Sequence, residues 1–432
     1  GFNTLFISYV FQFNAIDEDF ETSKLKKVMD MAYAEGLECF VFETNLHRLT
    51  GRRHSLIDAE NADGENIFAT EEELEKYVAR CLKPLMSHPA FIGVSTRDEP
   101  YKSMFTAYGQ AYRAMKKIKP DLYINANIDL GFWEPNPEEE TEEEKKLGPI
   151  EKFKSNLEKW YGTVTPDFLQ YDSYPIRYRT KNKEFLNGRS ITPTVLAAYC
   201  LAGEFSRERD WPLGVVMQAC EFKVPTAGWG CCRTTESDMY WQNNLAMAVG
   251  TRTFSYWSYF PVVNSAGEYY DDSASIVDTF GRPNELYRVL QKMHEEMQKT
   301  AKVLTRFKYD GVKLYTTERI PGDGEFIRVL EETLENGVIS SWKASKISGV
   351  ELLEDGALFI SEMKDYETGE VGYYIVNATD PTAKTSQTAI ISFGNAKSLR
   401  IYDKGEMRVE ALQDGRIDLR FQTGAGIFVI PQ

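Results

Sequence analysis

Residues 91–100 read "FIGVSTRDEP", an apolar run that ends in two adjacent carboxylates, Asp98 and Glu99, and a proline. A strand needs no acids at its tip, so both are candidates for chemistry. A third acid, Glu221, lies at the end of another apolar run, "PLGVVMQACEF". Two carboxyl groups facing one another across a pocket are the minimum for cleaving a glycosidic bond. One protonates the departing oxygen, and the other attacks the anomeric carbon or activates a water. The acid needs a raised pKa, which partial burial and a neighbouring carboxylate both supply. Successive side chains of an extended strand point to opposite faces. If Glu99 faces a pocket, Asp98 faces an adjoining strand or loop, as a positioning residue hydrogen-bonded to Arg97 or a backbone amide.

The other polar and aromatic residues that close apolar runs suit a sugar. They are Glu43 and Asn45 after "CFVF", Asn125, Asn127 and Asp129 after "LYI", Asp172 and Tyr174 in "DFLQYDSYP", Gln218, and Tyr256, Trp257 and Tyr259 in "TFSYWSYF". Amides and carboxylates hydrogen-bond hydroxyls, and aromatic faces stack on sugar rings. Asp98, Asn45, His47, Asn127, Asp172, Tyr174, Gln218, Tyr256 and Trp257 are the expected substrate contacts. Each also has a structural reading. Glu99 can cap a helix or pair with a cation. Glu221 can be a loop acid, with Gln218, three residues earlier, pointing into the pocket instead. Glu236 reads as the cap of the next helix, and Trp257 and Tyr259 as packing of the last strand. Trp133 and Trp229, on loops, are less easily explained as core. No Ser-His-Asp set accompanies them, and no metal site or organic cofactor is expected.

The elements that must position these residues come from the hydrophobic pattern. Seven β-prone runs alternate with helical stretches over the first 306 residues: "TLFISYV", "LECFVFE", "FIGVS", "DLYINANI", "DFLQYDSYP", "PLGVVMQACEF" and "TRTFSYWSYF". Thr70 ahead of Glu73 has capping-box spacing, and Gly36 is a stop signal. The alternation implies βα units and a parallel sheet covered on both faces. One further strand before Gly1 gives eight, the number that closes a (β/α)8 TIM barrel. No GxGxxG or GxxxxGK[ST] motif follows a strand, which weakens an open doubly wound sheet. The run "EEETEEEKK" at 138–146 reads as a solvated insertion. After about Phe307 the texture changes to short strands broken by Gly, Asp and Asn, the pattern of an all-β sandwich or small Greek-key sheet. The expected domains are 1–306 and 307–432. The chain opens directly inside a strand, so the natural protein is expected to extend upstream, and the lack of a targeting segment carries no weight.

Composition narrows the partners. The formal net charge is -15, with Lys and Arg scattered, so nucleic acid is not an expected partner. The negative field also disfavours strongly anionic substrates, although a local pocket overrides net charge. No run of about 18 apolar residues is present to span a membrane. The 24 Tyr and 7 Trp suit either stacking on sugars or a large aromatic core. Six cysteines without a CxxC pair give no zinc pattern and no disulfide framework.

The segment "HPAFIGVSTRDEP" resembles the fourth-strand segment of retaining glycoside hydrolases of clan A, the β-galactosidase-like (β/α)8 enzymes. There a helix ends in His-Pro, an apolar strand follows, and the segment closes in Asn-Glu-Pro or Asp-Glu-Pro. "GFNTL" resembles their second-strand start. "VVMQACEF" followed by "TTESDMYWQNNLAMAVGTRTFSYWSYFP" resembles their seventh strand, helix and eighth strand. "GRPNELYRVLQKMHEEMQ" resembles the final barrel helix, and "TGAGIFVIPQ" the last strand of the trailing β-domain. The resemblance runs through most of the chain in order. It implies that Glu99 is the acid/base, Glu221 the nucleophile, and an oligosaccharide or glycoside the substrate. Asp98 stands where Asn is common in that family. Two other readings stay open: a barrel that binds carbohydrate without cutting it, and a lyase that releases an unsaturated, ultraviolet-absorbing product.

Overall fold

The structure is a computed structural model that describes residues 3–7, 11–57, 68–129, 140–264, 267–342 and 346–432. The chain divides into two compact units, Gly1–Tyr171 and Asp172–Gln432.

In the first unit β1 (Thr4–Phe6) leads through α1 (Lys24–Ala34) to β2 (Glu38–Val41), and α2 (Thr44–Thr50) and α3 (Glu71–Met86) lead to β3 (Phe91–Ser95). Then α4 (Phe105–Ile118) leads to β4 (Tyr123–Asn125), which is followed by β5 (Asn127–Asp129), α5 (Pro149–Val164) and β6 (Leu169–Ser173). Strands β1 to β4 pair in parallel in chain order. The apolar runs form these strands because both faces are covered. Cys39, Val41 and Val94 have no exposed surface, and each fully buried aliphatic side chain contributes about 1.5–3 kcal/mol. Gly93 is required where β3 lies between its neighbours: a Cβ there would stand 2.2 Å from the Tyr123 carbonyl oxygen and 2.8 Å from the Phe40 ring.

The expected cap of α3 is present with one change of partner. Thr70 Oγ1 accepts from Glu73 N, but the Glu73 carboxylate reaches back to Ala69 N. The acidic run at 138–146 departs from a solvated face at Glu144, which is buried and takes hydrogen bonds from Lys102 (2.9 Å) and Lys159.

The second unit opens with the hairpin β7 (Ile176–Lys181) and β8 (Glu184–Ile191). Next come α6 (Val195–Arg209), β9 (Leu213–Gln218), β10 (Glu221–Val224), β11 (Trp229–Cys231), α7 (Glu236–Ala248), β12 (Thr253–Trp257), β13 (Asp271–Ala274) and α8 (Glu285–Leu304). Strands β9 and β12 are parallel, with Gln218 opposite Trp257. Strands β7, β8, β10, β11 and β13 form a separate antiparallel sheet in the order β13-β10-β11-β7-β8. The sequence pattern did not announce that sheet.

The rest of the unit comprises β14 (Lys308–Thr316), α9 (Glu325–Glu335), β15 (Gly349–Leu352), β16 (Ala357–Lys364), β17 (Val371–Asn377), β18 (Gln387–Ser392), β19 (Ser398–Asp403), β20 (Glu406–Ala411), β21 (Arg416–Phe421) and β22 (Gly426–Pro431). Two antiparallel sheets, β14-β16-β17-β22-β19-β20 and β15-β18-β21, share one core in which Leu358, Ile360, Tyr373 and Ile375 pack with Ala389, Ile391, Leu419 and Phe421. The short strands expected past Phe307 are present. The region is not purely β, because α9 buries Phe326, Ile327 and Leu330 at helical spacing. Helix α7 also bonds to this region. Trp241 Nε1 of α7 donates to the Ala378 carbonyl at 3.1 Å, and the Tyr374 hydroxyl donates to Asn244 Oδ1 at 2.9 Å.

Candidate active site

In the first unit the polar cluster sits where the parallel strands end. Beyond β3 the ladder continues through two bonds: Thr96 N donates to Asn125 O and Glu99 N to Asn127 O, both at 3.1 Å. Between them the chain bends, and Glu99 adopts φ 44°, the left-handed region that non-glycine residues avoid. Such a conformation costs on the order of 1–3 kcal/mol and persists where the surroundings enforce it. Both Asp98 and Glu99 are open to solvent.

Asp98 is fixed by an amide relay. Gln170 Nε2 donates to Asn127 Oδ1 at 2.5 Å, and Asn127 Nδ2 donates to Asp98 Oδ1 at 2.9 Å. Since one amide group can only donate from nitrogen and accept at oxygen, the relay sets the orientation of Asn127. Burial raises the Asp98 pKa; the Asn127 bond and then the charge of Arg97 oppose it. The residue is accessible, yet enough protein surrounds it to disfavour the charged form.

His47 and Arg97 form the other half of this cluster. His47 Nδ1 lies 2.8 Å from the Thr96 carbonyl oxygen, so Nδ1 carries the proton. Nε2 is then an acceptor and receives Arg97 Nη1 at 3.3 Å. Burial, and then the Arg97 charge, hold the imidazole below its usual pKa, so it is neutral at pH 7.

Glu43 and Asn45 are turned to structural work. Glu43 has no exposed surface and caps α2: Oε2 accepts from Leu46 N at 2.7 Å, and Oε1 from Ala15 N at 3.0 Å and Asn45 Nδ2 at 2.8 Å. The Asn45 amide also donates to Asn14 Oδ1 and accepts from the Tyr77 hydroxyl.

In the second unit the candidates separate into two groups. Gln218 ends β9 fully buried. Its Oε1 accepts from Ile176 N, and its Nε2 donates to the Ile176 and Cys232 carbonyls, at 2.8–2.9 Å. The amide therefore clamps β7 and the end of β11 to β9 instead of facing a pocket. Tyr256 is likewise engaged: its hydroxyl lies 2.9 Å from both Asn243 Oδ1 and His294 Nε2, and its ring packs with Met239, Leu290 and Met293.

Glu221 belongs to the other group. The chain leaves the parallel pair after Gln218, and Glu221 is the first residue of β10 in the antiparallel sheet, opposite Ala274. It is half-buried, and the Tyr178 hydroxyl donates to its Oε1 at 2.5 Å. Burial, and next the Glu221 charge, push the Tyr178 phenol far above its usual pKa, so it stays a donor. Beside this pair Trp257 meets Tyr174 at 4.9 Å between ring centroids and the edge of Phe222 at 5.3 Å. The Arg177 guanidinium lies over Trp229 at 5.0 Å. Asp172 is buried in β6. Glu236 is the first residue of α7, whose cap is Thr235. Trp133 and the Asp129 side chain lie outside the described residues.

Sequence reasoning missed Tyr178, Gln170 and Arg97 as site residues. Tyr178 had one available signal, the alternation of "IRYRTK" on the unrecognised strand β7. Among the described residues no group of three His, Cys, Asp or Glu side chains could hold a metal ion, and no helix is long and apolar enough to cross a membrane.

No protein-family model and no curated protein sequence matches the chain. Solved structures do. The chain is similar to the α-amylase of Geobacillus thermoleovorans complexed with acarbose, at 12% identity and a TM-score of 0.50 over 100% of this chain and 88% of that one. It is also similar to a family 5 glycoside hydrolase from Bacteroides vulgatus (10%, TM-score 0.49, 100% and 83% covered) and a family 39 glycoside hydrolase from Bacteroides cellulosilyticus (11%, 0.46, 100% and 76%). At these identities the likeness concerns fold alone, and only the first reaches a TM-score that bears on it.

Proposed function

We propose that the chain is a glycoside hydrolase of the β-galactosidase-like kind. In this reading residues 1–306 make a (β/α)8 catalytic barrel, and residues 307–432 make the trailing β-sandwich. The mechanism is retaining. Glu99 protonates the glycosidic oxygen while Glu221 attacks the anomeric carbon; Glu99 then takes a proton from the water that releases the sugar. The chemistry asks for no metal or organic cofactor.

The observation that carries this reading is the left-handed backbone of Glu99. A glutamate stands, open to solvent, where geometry alone favours Gly or Asn. Strain of this kind accumulates at functional sites. The remaining roles follow from the contacts. Tyr178 orients Glu221, and Asn127 holds Asp98 toward a sugar hydroxyl. Tyr174 and Trp257 supply the apolar face, and Asp172 is a positioning residue. Asn45, Gln218 and Tyr256 support the site without touching substrate, because their polar groups are already engaged.

A panel of nitrophenyl glycosides tests it. Hydrolysis with net retention, followed by nuclear magnetic resonance of the released anomer, is expected. Glu221→Gln is expected to abolish turnover. Glu99→Gln should spare activated leaving groups that need no proton and be rescued by azide. Inversion at the anomeric carbon, or full activity in either variant, would refute the assignment. Saccharide binding without turnover by the unaltered protein would favour the non-catalytic barrel.

A further inference from the structure

Arg97 meets the charge of Asp98 but makes no direct ion pair with it. Among the described residues it forms no ion pair, although Asp98 and Glu99 follow it directly. Its Nη1 is held by His47, its Nε is buried with no hydrogen-bond partner, and Nη2 makes no hydrogen bond. The part of the fork left for an anion is Nη2 with the second proton of Nη1. The holder is itself built for the task. The Thr96 carbonyl fixes the His47 tautomer so that Nε2 accepts, and the ring is neutral, so it orients Arg97 without adding charge or repelling an anion.

The neighbouring chain points the same way. Residues 47–54 read "HRLTGRRH", three arginines in eight residues of a chain whose net charge is -15. Arg48 and Arg53 are exposed and, like Arg97, form no ion pair among the described residues. Part of this run adjoins the cluster: a Cβ on Gly51 would lie 3.7 Å from Arg97 Nη1, and the Arg53 guanidinium lies over the Tyr101 ring at 5.9 Å.

Resting on the glycosidase reading, we infer that the substrate is an acidic saccharide, whose carboxylate or sulfate is received by Arg97. The guanidinium presents Nη2 and the second proton of Nη1 to two oxygens of that anion. Arg48 and Arg53 raise its local concentration through the field. His47 is a positioning residue that acts through Arg97.

The test separates binding from cutting. Calorimetric titrations on the Glu221→Gln protein would compare glucuronate, galacturonate and glucose 6-sulfate with glucose and galactose. The acidic sugars are expected to bind about ten-fold or more tighter, with the preference shrinking as salt rises from about 50 to 500 mM. Whether the uronates or the sulfate win names the anion. Arg97→Gln is expected to reduce the acidic-to-neutral affinity ratio by roughly 10- to 100-fold, with Arg97→Lys restoring part of it. An unchanged melting temperature would show that the change is local. Equal affinity for neutral and acidic sugars, or a preference that survives Arg97→Gln, would overturn the inference. Acidic preference without hydrolysis would leave it standing and sink the glycosidase reading, while hydrolysis of neutral glycosides alone would do the reverse.

Discussion

The hydroxyl of Tyr178 provides the sharpest test of Glu221. Tyr178→Phe removes one oxygen, 2.5 Å from Glu221 Oε1, and leaves the ring. That ring meets the edge of Phe185 at 5.6 Å and carries the Lys223 ammonium over its face at 4.6 Å. Lys223 is tied in turn to Asp272 at 2.6 Å. None of these contacts needs the hydroxyl, so the melting temperature is expected to stay within a few degrees. A hydrogen bond to a charged group is worth about 1.5–3 kcal/mol. If Tyr178 holds the nucleophile in its attacking position, that energy appears in the transition state. At about 1.36 kcal/mol per decade it corresponds to a fall in kcat/KM of roughly 13- to 160-fold. The assay is initial-rate kinetics on the best nitrophenyl glycoside, with thermal denaturation run in parallel. An unchanged kcat/KM in a fully folded Tyr178→Phe protein would refute the reasoning: either Glu221 is a bystander or the bond does no positioning. A collapse of the melting temperature would refute it differently, by showing the bond to be structural.

Three further outcomes are expected. Gln218→Ala strips the partner from Ile176 N and from the Cys232 carbonyl, both buried, while the Ile176 carbonyl keeps the bond from Cys232 N. At about 1–3 kcal/mol per orphaned group, denaturant titration should show a loss of at least about 2 kcal/mol; a loss below about 1 kcal/mol would contradict the clamp. Burial raises the Glu43 pKa from 4.5, so the stability this group contributes is full below that value and declines as pH rises through the raised one. Relative to the unaltered protein, Glu43→Gln should therefore lose its disadvantage as pH rises above 4.5; parallel curves would speak against it. Glu99→Asn keeps a residue that tolerates the left-handed region, so hydrolysis of glycosides with unactivated leaving groups should vanish while the melting temperature holds or rises, and a clear drop would mean that the Glu99 side chain stabilises the fold.

The parallel strands were legible because burial on both faces leaves continuous apolar runs, as in "FIGVS" and "GVVMQ". The β7–β8 hairpin was not, because its strands are mostly polar and exposed. Its turn places both Asn182 and Lys183 at positive φ, and only the first of these advertises such a turn. Missing the hairpin meant missing Tyr178, and with it the reason Glu221 lies three residues past Gln218: the chain changes sheets there. The helix "EFIRVLEETLE" did carry helical spacing, but it lay inside a β texture. Among strand-end polar residues, sequence cannot tell an amide that awaits a ligand from one that satisfies the backbone. Gln218 and Asn45 look like Asn127 until their partners are seen. What distinguishes the groups left for a substrate is the hydrogen-bond ledger around them. Asp98 is oriented from one side with its other face open, Glu221 is held by a single phenol, and Arg97 is gripped at one nitrogen with the rest of its fork unused. Residues that are positioned but not satisfied are what a site consists of, and that property belongs to the fold rather than to any motif.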